Sequence, residues 1–241
     1  MVHFKIGVAN RVVEVETLHV RSRAMCRDYM AEGAPDFGIR VCQREIDEEK
    51  RRCAAQSGEC ALWDGSLETI VLHKKLSEAL IDYGVFMMHG AAVACRSGAY
   101  VFAAPSGVGK TTHVLKWTQC LPDAFIINGD KPFIMTDPSP MVCGSPWAGK
   151  ENLNRNAITP LRAVVFLERA QANRMEPISF PEAFPLLYPQ VYRPEDRAKA
   201  SMTLRLLKRL DESARFYRFK CNNFMDDCFD VAYSALVGDE I

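Results

Sequence analysis

The stretch of this 241-residue chain that decides its fold reads Ala104-Pro105-Ser106-Gly107-Val108-Gly109-Lys110-Thr111-Thr112. An apolar segment precedes it and a segment of helical character follows, so we expect a strand, a glycine-rich loop and a helix. Glycines allow successive backbone N–H groups to turn inward around an anion, and the helix N-terminus adds positive potential. A motif of this form occurs by chance about 0.02 times in a chain of this length and average composition. The stretch therefore predicts a phosphate-binding loop.

The residues of the loop expected to contact a nucleotide are Ser106, Gly107, Val108, Gly109, Lys110, Thr111 and Thr112. Lys110 can bridge the β- and γ-phosphates, and the Thr111 hydroxyl can bind Mg²⁺. Alanine stands at position 104, where the usual pattern has glycine. Because this position ends the strand, we still expect the loop to form. His113 is expected to pack on the helix and to point away from the loop.

Two further polar residues follow apolar segments on either side of the loop. His89-Gly90 follows residues 85–88 and precedes Lys110 by 21 residues, and Asp130 comes shortly after the apolar segment 124–128. An acid at the end of such a strand can hold Mg²⁺ or accept a proton from an attacking hydroxyl. A lone histidine after an apolar segment is also typical of a hydrogen-bonded core residue, so His89 has both interpretations on its own.

The spaced combination of His89-Gly90, the glycine-rich loop and a strand ending in an acid resembles the HPr kinase/phosphorylase family. More broadly, it is similar to the phosphoenolpyruvate carboxykinase-like P-loop fold, whose own loop also ends in Gly-Lys-Thr-Thr. The resemblance covers roughly residues 85–240 and is strongest over residues 86–135. It implies a mixed-sheet core and a kinase that transfers the γ-phosphoryl group of ATP, or of another nucleoside triphosphate, to a hydroxyl.

The resemblance also implies roles for individual residues. It places His89 near the transferred phosphoryl group, gives catalytic roles to Asp130 and Lys110, and makes Thr111 and Asp130 the ligands of Mg²⁺. The acceptor would be a serine of a small protein or peptide, or a free metabolite. Since members of the family often form rings, the resemblance permits a homo-oligomer.

One departure from the family pattern leaves alternatives open. The acid doublet of the family is Gly129-Asp130 in this chain, so one carboxylate is missing. Asp130 is therefore open as a metal ligand, as a base or as both. The first alternative to a kinase is a non-catalytic nucleotide sensor or interaction module. The second is a carboxykinase-like lyase acting on a keto acid, although such enzymes are longer and need further arginines and metal ligands.

A second candidate segment spans residues 143–155 and combines glycines, a tryptophan, cations and amide side chains. Such a loop could lie over the substrate, with Lys150 or Arg155 supplying positive charge to a phosphate or carboxylate. A surface loop with a packed tryptophan explains it equally well. Arg162 and Arg169 flank the apolar segment 163–167 and are interpreted as solvated cations at the ends of a strand.

Composition excludes several classes of partner. The chain has 30 Lys+Arg against 30 Asp+Glu, so we expect no general nucleic-acid partner. No run of 18 or more apolar residues occurs, and the N-terminus has no secretion-signal pattern, so we expect no membrane partner. The nine cysteines form no C-x-x-C pair and are interpreted as reduced thiols, which predicts a cytoplasmic protein.

Periodicity and turn residues predict an α/β protein whose main sheet is mixed. Strands are expected at residues 4–8, 12–15, 85–88, 91–95, 100–104, 124–128, 133–136, 141–143, 163–167 and 216–221. Helices are expected at 44–52, 67–83, 111–120, 181–187 and 194–210, with a last helix capped by Asn222 or Asn223. Residues 1–75 are predicted as a small N-terminal α/β extension and residues 76–241 as the P-loop kinase-like core.

Overall fold

A computed structural model of the chain describes residues 1–222 and 225–238. These fall into two compact units, Met1–Tyr83 and Gly84–Ile241. The boundary predicted after residue 75 lies inside the helix Asp64–Leu80. This helix lies entirely within the first unit, which therefore extends further than the sequence suggested.

The first unit contains a three-stranded sheet and three helices. Strands β1 (Val2–Val8) and β2 (Arg11–Thr17) form an antiparallel hairpin, and β3 (Phe37–Arg40) pairs parallel to β2. The two residues of the hairpin turn, Ala9 and Asn10, have φ angles of 51° and 58°. Positive φ at both positions is the geometry of a type I′ turn, whose twist matches that of the flanking strands. The helices are α1 (Val20–Met25), α2 (Gln43–Ser57) and α3 (Asp64–Leu80).

The side chain of Glu68, a buried acid on α3, caps the N-terminus of helix α1. The Glu68 carboxylate accepts backbone hydrogen bonds from Leu18 at 2.5 Å and His19 at 3.2 Å, and one from the Ser22 hydroxyl at 2.6 Å. These donors lie at or just before the first turn of α1, where backbone N–H groups lack partners within the helix. Glu68 is therefore a long-range helix cap, which explains how a fully buried carboxylate is accommodated.

The second unit is built on a nine-stranded sheet that mixes parallel and antiparallel pairs. Its strands are β4 (Val85–Met87), β5 (Ala91–Cys95), β6 (Gly98–Ala103), β7 (Phe125–Asn128), β8 (Phe133–Met135), β9 (Met141–Cys143), β10 (Ile158–Arg169), β11 (Arg174–Ile178) and β12 (Arg215–Cys221). Their order is β4-β8-β9-β10-β6-β5-β7, with β12 beside β10 and β11 beside β12. The pairs β10–β6 and β10–β12 are parallel, whereas β5–β6, β5–β7 and β11–β12 are antiparallel.

Helices of the second unit cover this sheet. They are α4 (Lys110–Cys120), α5 (Phe180–Leu187), α6 (Arg197–Asp211) and α7 (Cys228–Val237). The main hydrophobic cluster joins β5, β6, β10 and β12 to α4 and α7, with Trp117 and Phe102 fully buried at its centre. Helix α4 is therefore fixed on the sheet directly after the glycine-rich loop, which holds the loop in place.

The predicted α/β class with a mixed sheet is confirmed, with differences in extent. Strand β10 begins five residues earlier than predicted, because Ile158–Pro160 pair with β9. Strands β3 and β11 and helix α1 were not predicted. The last helix begins at Cys228, so Asn222 does not cap it, and the alternative cap Asn223 lies outside the described residues. None of the helices in the described ranges is long and apolar enough to span a bilayer.

Candidate functional site

The loop between β6 and α4 has the backbone geometry that its glycines predict. Gly107 and Gly109 have φ angles of 80° and 118°, which residues other than glycine rarely adopt. Helix α4 begins at Lys110, directly after Gly109. The N–H groups of its first turn have no partner within the helix, and they carry the positive end of the helix dipole. The loop therefore has the backbone geometry that an anion site requires.

Lys110 lies across this loop. Its ammonium Nζ donates to the carbonyl oxygens of Ala104 at 2.8 Å and of Pro105 at 3.5 Å. The residue is only 8% exposed. Burial lowers the pKa of Lys110, while the nearby negative charge of Asp130 acts in the opposite direction. The structure thus holds a desolvated cation above the loop, where it can interact strongly with a phosphate.

His89 and Asp130 form a pair at the ends of their strands. His89 Nε2 lies 3.3 Å from Asp130 Oδ1. The main chain fixes this approach, because the Gly90 N–H donates to the Asp130 carbonyl at 2.9 Å and the His89 N–H donates to the Gln190 carbonyl at 2.6 Å. A Cβ atom at Gly90 would lie 2.9 Å from Val101 of β6. The glycine after His89 therefore permits close packing against the strand that leads into the loop.

The Asp130 carboxylate is held in its ionised form. Burial alone raises the pKa of Asp130, but the hydrogen bond from His89 and the adjacent Lys131 ammonium outweigh burial and bring the pKa to about 2. Lys131 Nζ lies 3.2 Å from the second carboxylate oxygen. A carboxylate with so low a pKa is a weak base, so it is better suited to binding a cation or orienting a hydroxyl than to removing a proton.

A buried amide sets the position of Asp130. The side-chain oxygen of Asn128 accepts hydrogen bonds from the backbone N–H groups of Asp130 at 2.8 Å and Lys131 at 2.6 Å. Its Nδ2 donates to the carbonyl and hydroxyl oxygens of Ser145, and the Ser145 hydroxyl donates to the Lys131 carbonyl at 2.6 Å. Asn128 therefore ties the turn that carries Asp130 to the loop after β9. This role could not be predicted from local sequence, because Ser145 lies on another segment.

These residues meet in one cleft of about 460 Å³. Its lining consists of His89, Ser106, Gly107, Gly109, Lys110, Thr111, Thr112, Gly129, Asp130, Gly149, Lys150 and Glu151. The structure therefore brings together the phosphate loop, the His89–Asp130 pair and the predicted substrate residue Lys150. Gly149 and Glu151 also line the cleft and were not singled out by sequence.

Two of the predicted site residues, Arg155 and Val108, do not line this cleft. The Arg155 guanidinium lies over the ring of Phe125, with its carbon 4.4 Å from the ring centroid, and Arg155 does not appear in the cleft lining. Its backbone N–H donates to the Ile127 carbonyl of β7 at 2.9 Å. Val108 lines a second cleft of about 370 Å³ on another side of the loop.

Arg162 and Arg169 are exposed, as predicted, and each also donates to a main-chain carbonyl. Arg169 donates to the carbonyl oxygen of Gly107 and so braces the phosphate loop from the end of β10. Arg162 Nε donates to the Ser97 carbonyl at 2.6 Å. The contact between Arg169 and the loop depends on the parallel pairing of β10 with β6, which local sequence does not specify.

The cleft offers oxygen donors for a divalent cation. Thr111 and Asp130 both line it, and a hydroxyl and a carboxylate are the hard ligands that Mg²⁺ prefers. Within the described residues, no group of three or more His, Cys, Asp or Glu side chains could hold a metal by itself. The residues present therefore fit a cation that takes its remaining ligands from phosphate and water, as Mg²⁺ usually does in nucleotide sites.

Comparisons of the sequence with known proteins assign the chain to no family. No protein-family model matches it, and no curated protein matches it in sequence.

Proposed function

We propose that the protein is a nucleotide-dependent kinase that transfers the γ-phosphoryl group of ATP, or of another nucleoside triphosphate, to a hydroxyl. The observation that supports this most is a juxtaposition. An anion-binding loop with a buried lysine and an ionised acid paired with a histidine line the same cleft. Phosphoryl transfer depends mainly on positioning and charge stabilisation, and these groups supply both.

Each group has a defined part in this proposal. The backbone N–H groups of residues 107–112 bind phosphate oxygens, and the Lys110 ammonium stabilises the charge on the β- and γ-phosphates. When bound, Mg²⁺ neutralises phosphate charge, with Thr111 and Asp130 as its protein ligands. Asp130 orients the attacking hydroxyl or the cation, and His89 holds the Asp130 carboxylate in position through the 3.3 Å contact.

The low pKa of Asp130 favours one division of these roles. A carboxylate whose pKa is about 2 gains little by accepting a proton near neutral pH. A loose transition state for phosphoryl transfer asks little of a base, because the hydroxyl proton becomes acidic only late in the reaction. We therefore assign Asp130 to cation binding and orientation of the acceptor, which a single carboxylate can perform without the second acid that Gly129 replaces.

One of the two alternatives keeps specific support. Gly129 in place of a second acid favours a non-catalytic nucleotide sensor or interaction module, which needs the loop but not the chemistry. A carboxykinase-like lyase would use the same loop with a keto acid in the cleft. Such an acid usually requires arginine contacts, and none of the described residues that line the cleft is an arginine.

One experiment separates the three functions. The purified protein is incubated with Mg²⁺, γ-labelled ATP and a cell extract, and the products are profiled as phosphopeptides and as phosphorylated metabolites. A parallel reaction contains oxaloacetate and the same nucleotide. A kinase transfers label to a hydroxyl of an extract component. A sensor binds MgATP without consuming it, and a lyase consumes nucleotide only when oxaloacetate is present.

A further inference from the structure

One acid in the cleft has no part in the proposed transfer. Glu151 is exposed and lines the cleft together with the phosphate loop and Asp130. A carboxylate that faces the phosphates of a nucleotide repels them unless a cation lies between, because charges interact strongly inside a cleft. Two acids in a cleft that is built for an anion therefore point to a cation that binds together with the nucleotide.

The segment that carries Glu151 is fixed to the end of β7. Residues 127–129 pair with residues 153–155 through two backbone hydrogen bonds, of 2.8 Å and 2.9 Å, and an antiparallel bridge. Residues 149–152 form a turn directly before this pairing, and Asn152 in that turn has a φ of 51°. Asparagine adopts such a left-handed backbone more readily than most residues. The turn that contains Glu151 is therefore anchored two residues later.

Two glycines allow this turn to pack against Asp130. A Cβ atom at Gly149, whose φ is 77°, would lie 3.1 Å from the Cβ of Asp130. A Cβ atom at Gly129 would lie 3.2 Å from the Ala148 carbonyl oxygen. Side chains at these two positions would force the turn away from the acid. Because both positions are glycine, Glu151 follows by two residues a position that lies directly against Asp130.

The cleft contains the ligands that a divalent cation bound with a triphosphate needs. Thr111 offers a hydroxyl, and Asp130 and Glu151 offer two carboxylates. These hard oxygen ligands suit Mg²⁺ or Mn²⁺, which also binds phosphate oxygens and water. Lys110 and Lys150 line the same cleft, so the charges of the two acids are balanced and a polyanion can still enter.

We propose that Glu151 is a second carboxylate ligand, beside Asp130, of the divalent cation that accompanies the nucleotide. This inference rests on the nucleotide site of the proposed function, but not on phosphoryl transfer, since a sensor would bind the same cation. Asp130 can hold the cation alone, and Glu151 strengthens that binding from the neighbouring turn, where position 129 provides no acid.

The test detects the ligand directly and without turnover. The full-length protein is made by cell-free synthesis with glutamate carrying ¹³C in its side-chain carboxylate. Mn²⁺ replaces Mg²⁺, together with the non-hydrolysable β,γ-methylene analogue of ATP, and electron–nuclear double resonance measures coupling between Mn²⁺ and nearby ¹³C nuclei. We expect a ¹³C coupling in the wild type and its loss in Glu151→Gln. Glu212→Gln, an exposed acid that does not line the cleft, is the matched control and should retain the coupling.

The affinity for Mn²⁺ gives a second readout. Glu151→Gln should weaken binding of Mn²⁺ to the protein–nucleotide complex by about tenfold, and Glu151→Asp should recover part of that loss because it restores a carboxylate. Glu212→Gln should bind Mn²⁺ as the wild type does. Unchanged Mn²⁺ affinity in Glu151→Gln, or a ¹³C coupling that survives in that variant, would show that Glu151 is a solvated acid of the turn and would overturn the inference.

Binding of the metal-free nucleotide analogue, measured by calorimetry in the presence of EDTA, separates two kinds of failure. A wild type that binds the analogue and Mn²⁺ but shows no ¹³C coupling would overturn the role of Glu151 and leave the proposed function in place. A wild type that binds neither the analogue nor its Mn²⁺ complex would overturn the proposed function and this inference together.

Discussion

Glu68 in the first unit and Asp130 in the second are both acids removed from bulk water, but their surroundings differ. Glu68 is fully buried, and two backbone N–H groups and a hydroxyl donate to its carboxylate. Asp130 is bound by a histidine and a lysine and lines an open cleft beside the phosphate loop. The first acid has all its hydrogen-bonding capacity committed to the fold. The second keeps its charge facing a space that a ligand can enter.

This difference gives a criterion for separating structural from functional acids. A carboxylate whose partners are neutral main-chain donors is a cap, and its removal should unfold a helix. A carboxylate that lines an open cleft beside a histidine and a lysine is available to a substrate, and its removal should affect chemistry.

Lys110→Ala should cause the largest loss. Because the buried ammonium lies on the phosphate loop and lines the cleft, phosphoryl transfer should fall by about 1,000-fold and MgATP binding should weaken strongly. Lys116→Ala, on the same helix, is the matched control and should retain turnover, since Lys116 contacts only the Met225 carbonyl in the bonds described. Titration calorimetry and turnover assays measure both effects. Wild-type turnover in Lys110→Ala would show that the loop is not the phosphate-binding site.

Asp130→Asn should separate chemistry from binding. The amide keeps the shape of the side chain but loses the charge, so transfer should fall about 100-fold while MgATP affinity changes by much less. Asp211→Asn, an exposed acid on α6, serves as the control. Equal losses of turnover and affinity would show that Asp130 is chiefly structural, like Glu68.

Glu68→Ala should have the opposite pattern. It leaves buried donors at Leu18, His19 and Ser22 without their acceptor, which should reduce the free energy of unfolding of the first unit by about 3 kcal/mol. MgATP affinity should stay at the wild-type value. Glu78→Ala, on the same helix, should cost less than about 1 kcal/mol. Chemical denaturation and nucleotide titration measure the two quantities. A Glu68→Ala protein that is stable but binds nucleotide weakly would show that Glu68 is not a purely structural acid.

Asn128→Ala should reduce turnover by about tenfold, because the backbone of Asp130 loses the oxygen that positions it. Nucleotide affinity should change less than turnover. Ser145→Ala removes a neighbouring hydroxyl but leaves the Asn128 bond to Asp130, so its turnover should stay closer to the wild type. A similar loss of turnover in both variants would indicate a general loosening of the loop.

The smallest effect expected is on pH dependence. The pKa of Asp130 is about 2 in the folded protein and about 3.9 when unfolded, so the ionised acid stabilises the fold above pH 4 or so. That contribution is lost as the pH falls through about 2. The difference in unfolding free energy between wild type and Asp130→Asn should therefore stay constant from pH 8 to about 5 and shrink below it. A difference that stays constant as the pH falls below 5 would contradict the low pKa.

Sequence patterns predicted the parts of the fold that local chemistry determines. The alternation around Val13 and Val15 predicted the first hairpin, and glycines with Lys110 predicted the loop and α4. Helix α1 was missed because Ser22 is its only buried residue, so it has no apolar face to detect. Strand β11 was missed because Pro177 interrupts its pattern. Both elements depend on partners distant in the chain.

The same limit applies to the candidate site. Lys110 and Asp130 could be predicted from local motifs, whereas the position of His89 was predicted only through the family resemblance. Asn128 and Arg169 could not, since their roles arise from hydrogen bonds to Ser145 and Gly107 on other strands and loops. Arg155 was predicted to contact substrate from its charge alone, and its packing over Phe125 shows why charge without topology is a poor guide.

The most direct test of the central claim is transfer of label from γ-labelled ATP to an extract component by the wild type, Lys110→Ala and Asp130→Asn, with binding of MgATP measured in parallel. We expect label on a hydroxyl with the wild type, loss of transfer in both variants, and near-normal MgATP binding in Asp130→Asn but not in Lys110→Ala. Tight MgATP binding by the wild type with no transfer to any component would contradict the central claim.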